Sequence, residues 1–238
     1  FPSSTEPSAD GRSARPTWSV YLKQQVASAV ERALLRRLFP YRLLPELLAR
    51  MEPRHRRACE RFMATRYEAF VTAPGSQAKH QAWPGGYLAH VTETMNWAVV
   101  EYATIQALRP EVAGTFTLST LLFTLFFHDA EKPEKYAGTA ARGYRVDGPL
   151  TTKDGQKRRR EQIIAEIFQE LRLDPLTAEE ETALRYVEGE GADYGQERKM
   201  NRLGAVAHMC DVASARLFHD HPKLDDSWRD ARRYGDPR

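Results

Sequence analysis

Cysteine is nearly absent from this chain: only Cys59 and Cys210 occur, far apart and without CxxC spacing. That excludes a zinc ribbon and a disulfide-stapled secreted domain, and it points to the reducing cytosol. No stretch approaches 18 uninterrupted apolar residues, so no membrane-spanning helix is expected. The opening FPSSTEPSADGRSARP lacks the basic and apolar regions of a signal peptide, and its first residue, a phenylalanine, reads as that of a processed or trimmed chain. Excess charge is missing as well. With 35 Lys and Arg against 32 Asp and Glu, the net charge is only +3, so any positive field must come from local clustering. Long nucleic acid is permitted by that balance without being indicated. There is also no Gly-rich phosphate loop, no βαβ alternation and no internal repeat, which excludes a P-loop or Rossmann reading.

What is present is helical pattern. A chain of 238 residues, 42% of them hydrophobic, can bury one sizeable core. Residues 1–16, rich in Pro and Ser, read as a disordered tail or linker. Val26, Val30, Ala33 and Leu34 recur at helical spacing, and the pattern stops before Pro40. A short helix follows in YRLLPELLAR. Pro53 opens another that runs through Phe62, Tyr67 and Phe70. The next spans about Tyr87 to Leu108, with Val91, Met95, Ala98, Tyr102 and Ile105 on one face, and Pro110 and Gly114 end it. A helix from about Thr117 to Asp129 is closed by Pro133. Residues 137–156 read as a long excursion, a loop or hairpin. Helices resume at EQIIAEIFQELRL, at TAEEETALRYVEG with a capping box of Thr177 and Glu180, and at MNRLGAVAHMCDVASARLF. The fold class expected is all-α.

Against that background the polar residues on apolar helices carry the information. An apolar run ending at Phe127, broken only by Thr124, delivers His128 and Asp129 to the edge of a core. Burying them is costly unless something pairs with them. GGYLAHVTETM puts His90 near a helix start, and AHMCDVASAR puts Asp211 inside a helix of small residues. Two imidazoles and two carboxylates make a mixed nitrogen and oxygen set that suits one divalent ion of Mn, Co, Fe, Zn or Mg.

The order His90, His128-Asp129, Asp211 resembles the HD-domain superfamily of metal-dependent phosphohydrolases. The lead-in APGSQAKHQAWPGGYLAH is similar to the segment before the first ligand in HD domains of YhaM-type bacterial exoribonucleases, which carry HHA, then GGLLEH and later HDIGK. The resemblance covers about residues 70–220. It implies a helical HD bundle whose catalytic domain spans 73–222 and carries the long loop or hairpin insertion, with the additional N-terminal helices expected at 17–72 packed on it and a C-terminal tail at 223–238. It implies His90, His128, Asp129 and Asp211 as metal ligands. Lys132 matches the lysine of the family's HDxxK pattern. Members with two metals, or with mixed-valent iron, place further histidines between the doublet and the last Asp. This chain has none between His128 and His208, and offers Glu188, Glu190 and Asp193 instead, so a single metal is expected. His208 reads as either a supporting neighbour of Asp211 or a surface residue. Residues 1–60 leave no room for an OB-type domain.

The activity so implied is hydrolysis of a phosphate ester, with a nucleotide as the expected substrate. The alternatives are phosphodiester cleavage in a short oligonucleotide or cyclic nucleotide, and a non-catalytic module binding a nucleotide or protein. Lys132 is expected to face the site and hold phosphate charge, and Glu131 is the rival for that position as general base. Lys79, His80, Lys135 and Arg142 are further candidates to bind the substrate. The basic run at 153–162 reads as a solvated loop or a phosphate-backbone patch. Trp83, Tyr87 and Tyr136 read as core residues, with base stacking as the alternative.

Overall fold

The computed structural model describes Leu34 and residues 37–76, 79–136, 160–191, 194, 195 and 197–217. The tails at 1–16 and 223–238, the excursion at 137–156, Arg142 and Asp193 lie outside these residues, as does nearly all of the basic run. The chain divides into two compact units, Phe1–Pro40 and Tyr41–Arg238. All that follows concerns the second, which contains both the helices before residue 73 and those after it.

Among the described residues there are helices and no strand. In chain order they are α1 (Leu44–Leu48), α2 (Pro53–Thr65), α3 (Tyr67–Thr72), α4 (Gly86–Leu108), α5 (Pro110–Ala113), α6 (Leu118–Phe127), α7 (Lys132–Lys135), α8 (Arg160–Glu170), α9 (Ala178–Tyr186) and α10 (Arg202–Leu217). None is long and apolar enough to cross a membrane. The all-α expectation holds.

Helices α4 and α6 are the centre. A helix hydrophobic all round must be enclosed on every side, and Leu121, Leu122, Phe123, Leu125, Phe126 and Phe127 of α6 are all buried. The first half of α4 is equally enclosed, burying the polar His90, Thr92, Glu93 and Thr94 beside Val91 and Met95. The one-faced stripe expected for α4 describes only its second half, where Tyr102 and Ile105 are partly exposed. Around this pair pack α10, α2 and α9. The aromatic core joins them: Phe62 of α2 meets Phe126 and Phe127 of α6 edge-on at 5.9 and 5.4 Å. Phe70 of α3 stacks on Phe126 at 5.7 Å and meets Tyr87 at 5.2 Å. Each such phenyl ring contributes about 2–3 kcal/mol by burial.

Two boundaries differ from the expectation. The helix opened by Pro53 breaks at Arg66, whose φ of −130° and ψ of 26° are not helical. The hydroxyl of Thr65 donates to the carbonyls of Arg61 and Phe62, and the break turns Phe70 toward Tyr87 and Phe126. The helix carrying the His-Asp doublet ends at Phe127 rather than near Asp129, and a turn separates it from α7. Pro133 is the second residue of α7, in a first turn where its missing N–H goes unused. Thr117 caps α6 by accepting from Thr120 N at 3.0 Å. The capping box of Thr177 and Glu180 is present at α9.

Glu180 does more than close that box. Its Oε1 and Oε2 accept from Arg54 at 2.8 and 2.9 Å, and Oε1 lies 2.8 Å from Nε2 of His55. The other ring nitrogen of His55 lies 2.7 Å from Ser119 Oγ, which in turn accepts from Glu52 N at 2.8 Å. The ring stacks on Phe123 with centroids 4.5 Å apart. One buried network therefore ties α2 and α9 to α6. The sequence reading treated Glu180 as a cap and did not single out His55.

Candidate metal centre

Three helices deliver four ligand-type side chains to one point. His90 is one turn into α4, His128 and Asp129 follow the end of α6, and Asp211 lies in the middle of α10. The Nε2 atoms of His90 and His128 are 3.1 Å apart. Asp129 Oδ2 is 3.4 Å from the first and 3.1 Å from the second, while Asp211 Oδ1 is 3.1 and 3.5 Å from them. His90, His128 and Asp129 form the most compact group, with ligand atoms all within 4.8 Å of one another, and all three residues are buried. Asp211 is more open, its side chain 16% exposed. Ligands about 2.1 Å from a common ion lie about 3.0 Å apart at octahedral right angles and about 3.4 Å apart in a tetrahedron. The four imidazole-to-carboxylate separations and the one between the two nitrogens fall around these values.

The orientation of each ring is fixed from behind. Nδ1 of His128 donates to the carbonyl of Leu125 at 2.6 Å, so it is Nε2 that would present the lone pair to an ion. Nδ1 of His90 is 3.0 Å from Ser214 Oγ, one turn beyond Asp211 on α10. The amide nitrogen of Gln81 donates to that hydroxyl and to the carbonyl of Ser214, both at 3.3 Å. The hydroxyl can thus accept from His90 and leave its Nε2 free to coordinate. Gln81 itself sits at φ 41° in the loop before α4. Gly85, at φ 80°, turns the chain into α4, and a Cβ on Gly86 would overlap the carbonyl oxygen of Gln81. The two glycines of the PGG lead-in therefore let this loop lie directly against the helix that bears His90.

Four acceptor atoms converging in a buried space need positive charge among them. Burial works against a charged His128, but the carboxylates of Asp129 and Asp211 outweigh it and push the ring up to about 10. Burial also opposes ionisation of Asp129, yet the ammonium of Lys132 and the His128 ring hold its carboxyl well below the usual range. Asp211 is likewise held low, against burial, by hydrogen bonds from His128 and His90. The donor set fits a divalent cation, which would take the place of protons there: two imidazole nitrogens and two carboxylates, oriented by their surroundings.

Lys132 is buried and ion-paired with Asp129 Oδ2, and its Nζ lies 3.5 Å from Nε2 of His80. Burial and the nearby Lys132 charge pull His80 down to about 4, so its ring is neutral near pH 7. His80 also lies over His90, with centroids 4.9 Å apart. Asp211 opens onto a cavity of about 630 Å³ whose lining includes Lys79, His80, Glu188, His208 and Arg216. That volume is typical of small-molecule sites. Lys79 and His80 are thus brought to the centre, whereas Lys135 lies over the ring of Tyr136 at 5.3 Å. Glu131 is buried in the turn between α6 and α7. His208 Nδ1 donates to the carbonyl of Val187 at 2.6 Å, fixing its ring beside the cavity. Glu190 is committed elsewhere, accepting from Lys199 N and Met200 N at 2.6 and 2.7 Å. Trp83, Tyr87 and Tyr136 are core residues.

The sequence reading missed Ser214, Gln81 and Arg216. Ser214 lies three positions after Asp211 on one helix, a spacing that puts them on the same face and marks Ser214 as a neighbour of the site. The chain matches no protein-family model, no curated protein and no solved structure.

Proposed function

We propose that the chain is an HD-type metal-dependent phosphohydrolase, with one divalent ion of Mn, Co, Fe, Zn or Mg held by His90, His128, Asp129 and Asp211, and with a nucleotide as substrate. The observation that carries this reading is the 3.1 Å approach of two Nε2 atoms, each also within 3.5 Å of the Asp129 and Asp211 carboxylates. An ion bound there would acidify a water and stabilise charge on a phosphoryl oxygen. The protein's own part is positioning and charge. Leu125 O and Ser214 aim the imidazoles, and Lys132 holds Asp129 ionised while supplying an ammonium beside the reacting phosphate. Lys79 and Arg216, on the cavity wall next to Asp211, meet the remaining phosphate oxygens. His80 is neutral and serves as a hydrogen-bonding partner rather than a charge. Glu188 and His208 line the same cavity.

The full chain loaded in turn with each of these metals and offered nucleoside mono-, di- and triphosphates, cyclic nucleotides and short oligonucleotides tests the proposal. Release of phosphate from a mononucleotide is expected, and cleavage of cyclic nucleotides or oligonucleotides instead would make the chain a phosphodiesterase. Asp129→Asn, which keeps an oxygen for Lys132, should weaken metal binding by more than about a hundredfold and abolish turnover. Stoichiometric metal without turnover on any of these esters would leave a binding module, and full metal content in Asp129→Asn would overturn the ligand set.

A further inference from the structure

Four arginines, three of them without a carboxylate partner among the described residues, gather around a second cavity, of about 450 Å³, which shares no lining residue with the first. Arg54, Arg57, Arg61 and Arg172 line it, with Phe123 and Phe168 in its apolar wall. Arg54 is already committed to both oxygens of Glu180 and to the carbonyl of Pro175 at 2.7 Å. The guanidinium groups of Arg57, Arg61 and Arg172 make no ion pair and no hydrogen bond among the described residues. Arg57 and Arg61 are exposed and one turn apart on α2, so their side chains lie on one face. Of the two acids in the lining, Glu60 has a partner in Arg56 at 3.6 Å, and Asp174 lies near the charge of Arg54.

Arg172 is the second observation. It sits at φ 50°, in the left-handed region, two residues past the end of α8. The turn there is closed by Leu173 N donating to Phe168 O at 2.9 Å and Arg172 N to Gln169 O at 3.1 Å. Glycine fills this helix-ending position with least strain. An arginine in its place is a strained backbone that sets a third uncompensated guanidinium at the mouth of the cavity.

We propose that this cavity binds a small polyanion bearing two or more phosphate groups, held by Arg57, Arg61 and Arg172. Three unpaired guanidinium groups around one concave space call for several negative charges, and the planar fork of arginine matches phosphate oxygens in pairs. The walls of Phe123 and Phe168 give an organic portion an apolar surface, and the volume suits a metabolite-sized ligand. The site is independent of the phosphohydrolase reading.

Calorimetric titration of the full chain with inorganic tripolyphosphate and, separately, with ATP tests this, in EDTA so that metal-dependent binding is silent. Saturable one-to-one binding that weakens with added salt is expected. The pair Arg57→Gln and Arg61→Gln should weaken it by about tenfold or more. Arg172→Gly relieves the positive φ, so it should leave Tm unchanged or raised while weakening binding about fivefold. Tighter binding of ATP than of tripolyphosphate would assign its base to the aromatic wall, and equal binding would restrict recognition to the phosphates. No saturable binding of either probe overturns the proposal. So does affinity that survives all three arginine changes, or that is lost instead in Lys79→Gln with Arg216→Gln.

Discussion

Lys132 is ion-paired with the same oxygen of Asp129 that lies 3.1 Å from Nε2 of His128. Lys132 and the candidate cation site thus share one carboxylate atom. On the proposed function, removing the ammonium would take away a group beside the phosphate while leaving the ligand atoms in place. Lys132→Met, which keeps the apolar stem, should retain metal by elemental analysis and lower kcat/KM by roughly ten- to a thousandfold, about one oxyanion-type contact. Unchanged kinetics would reduce Lys132 to a neutraliser of Asp129.

Glu131 is the carboxylate nearest in sequence that is able to contend for the role of general base. Since Lys132 takes the inward position beside Asp129, Glu131→Gln should keep at least about a tenth of wild-type kcat, whereas a general base typically contributes about a hundredfold or more. A larger loss with metal still bound would make Glu131 the water-activating group.

Ser214 touches the centre only through Nδ1 of His90, at 3.0 Å. Ser214→Ala should therefore weaken metal binding by about ten- to a hundredfold, the usual cost of losing a ligand's supporting hydrogen bond. Competition with a metal-sensitive dye measures it directly. Ser214→Thr, keeping the hydroxyl, should recover most of the affinity, an outcome that simple loss of packing does not predict.

Acid stability depends on Glu180. Burial would raise its pKa, but hydrogen bonds from His55, Arg54 and Thr177 N outweigh that and lower it to about 2, against about 4.3 in an unfolded chain. The folded value is the lower one, so the stabilisation is complete above about pH 5 and fades as pH falls through 4 toward 2. It amounts to about 3 kcal/mol at most. Urea midpoints measured from pH 6 to 2.5 should fall more steeply for the wild type than for Glu180→Gln, and equal slopes would remove Glu180 from the account.

The four candidate ligands were legible because His90, Asp211 and the His128-Asp129 pair lie in or at the end of apolar stretches, and because their order resembles the HD pattern; the structure brings them together. The helices were legible for similar local reasons: Pro53 at a start, Thr117 and Thr177 as caps, Pro110 at an end. What was not legible is set by contacts between distant segments. The break at Arg66 serves the placement of Phe70 against Tyr87 and Phe126. His55 and Glu180 are 125 positions apart, and nothing near either names the other. Ser214 and Gln81 look like ordinary small and polar residues until α10 and the 75–86 loop meet behind His90. Pro133 was read by its usual effect as a helix stop, whereas it begins a new short helix after a turn.

The contact between Gly86 and the carbonyl of Gln81 has a consequence for how this protein can diversify. The loop that displays Lys79 and His80 to the cavity is clamped at one end by Gly75 N donating to Gln81 O at 2.9 Å, and at the other by the first turn of α4. Ser76, whose hydroxyl accepts from Lys79 N and His80 N, and Gln81 hold its shape, so the exposed side chain at 79 can vary more freely than the loop's length. One inserted residue would carry Gln81 away from Ser214 and unseat the ring of His90 with it. If the proposed function holds, a library aimed at new substrates should randomise positions 79 and 80 and leave the loop's residue count alone, because one loop would carry both specificity and the support of a metal ligand.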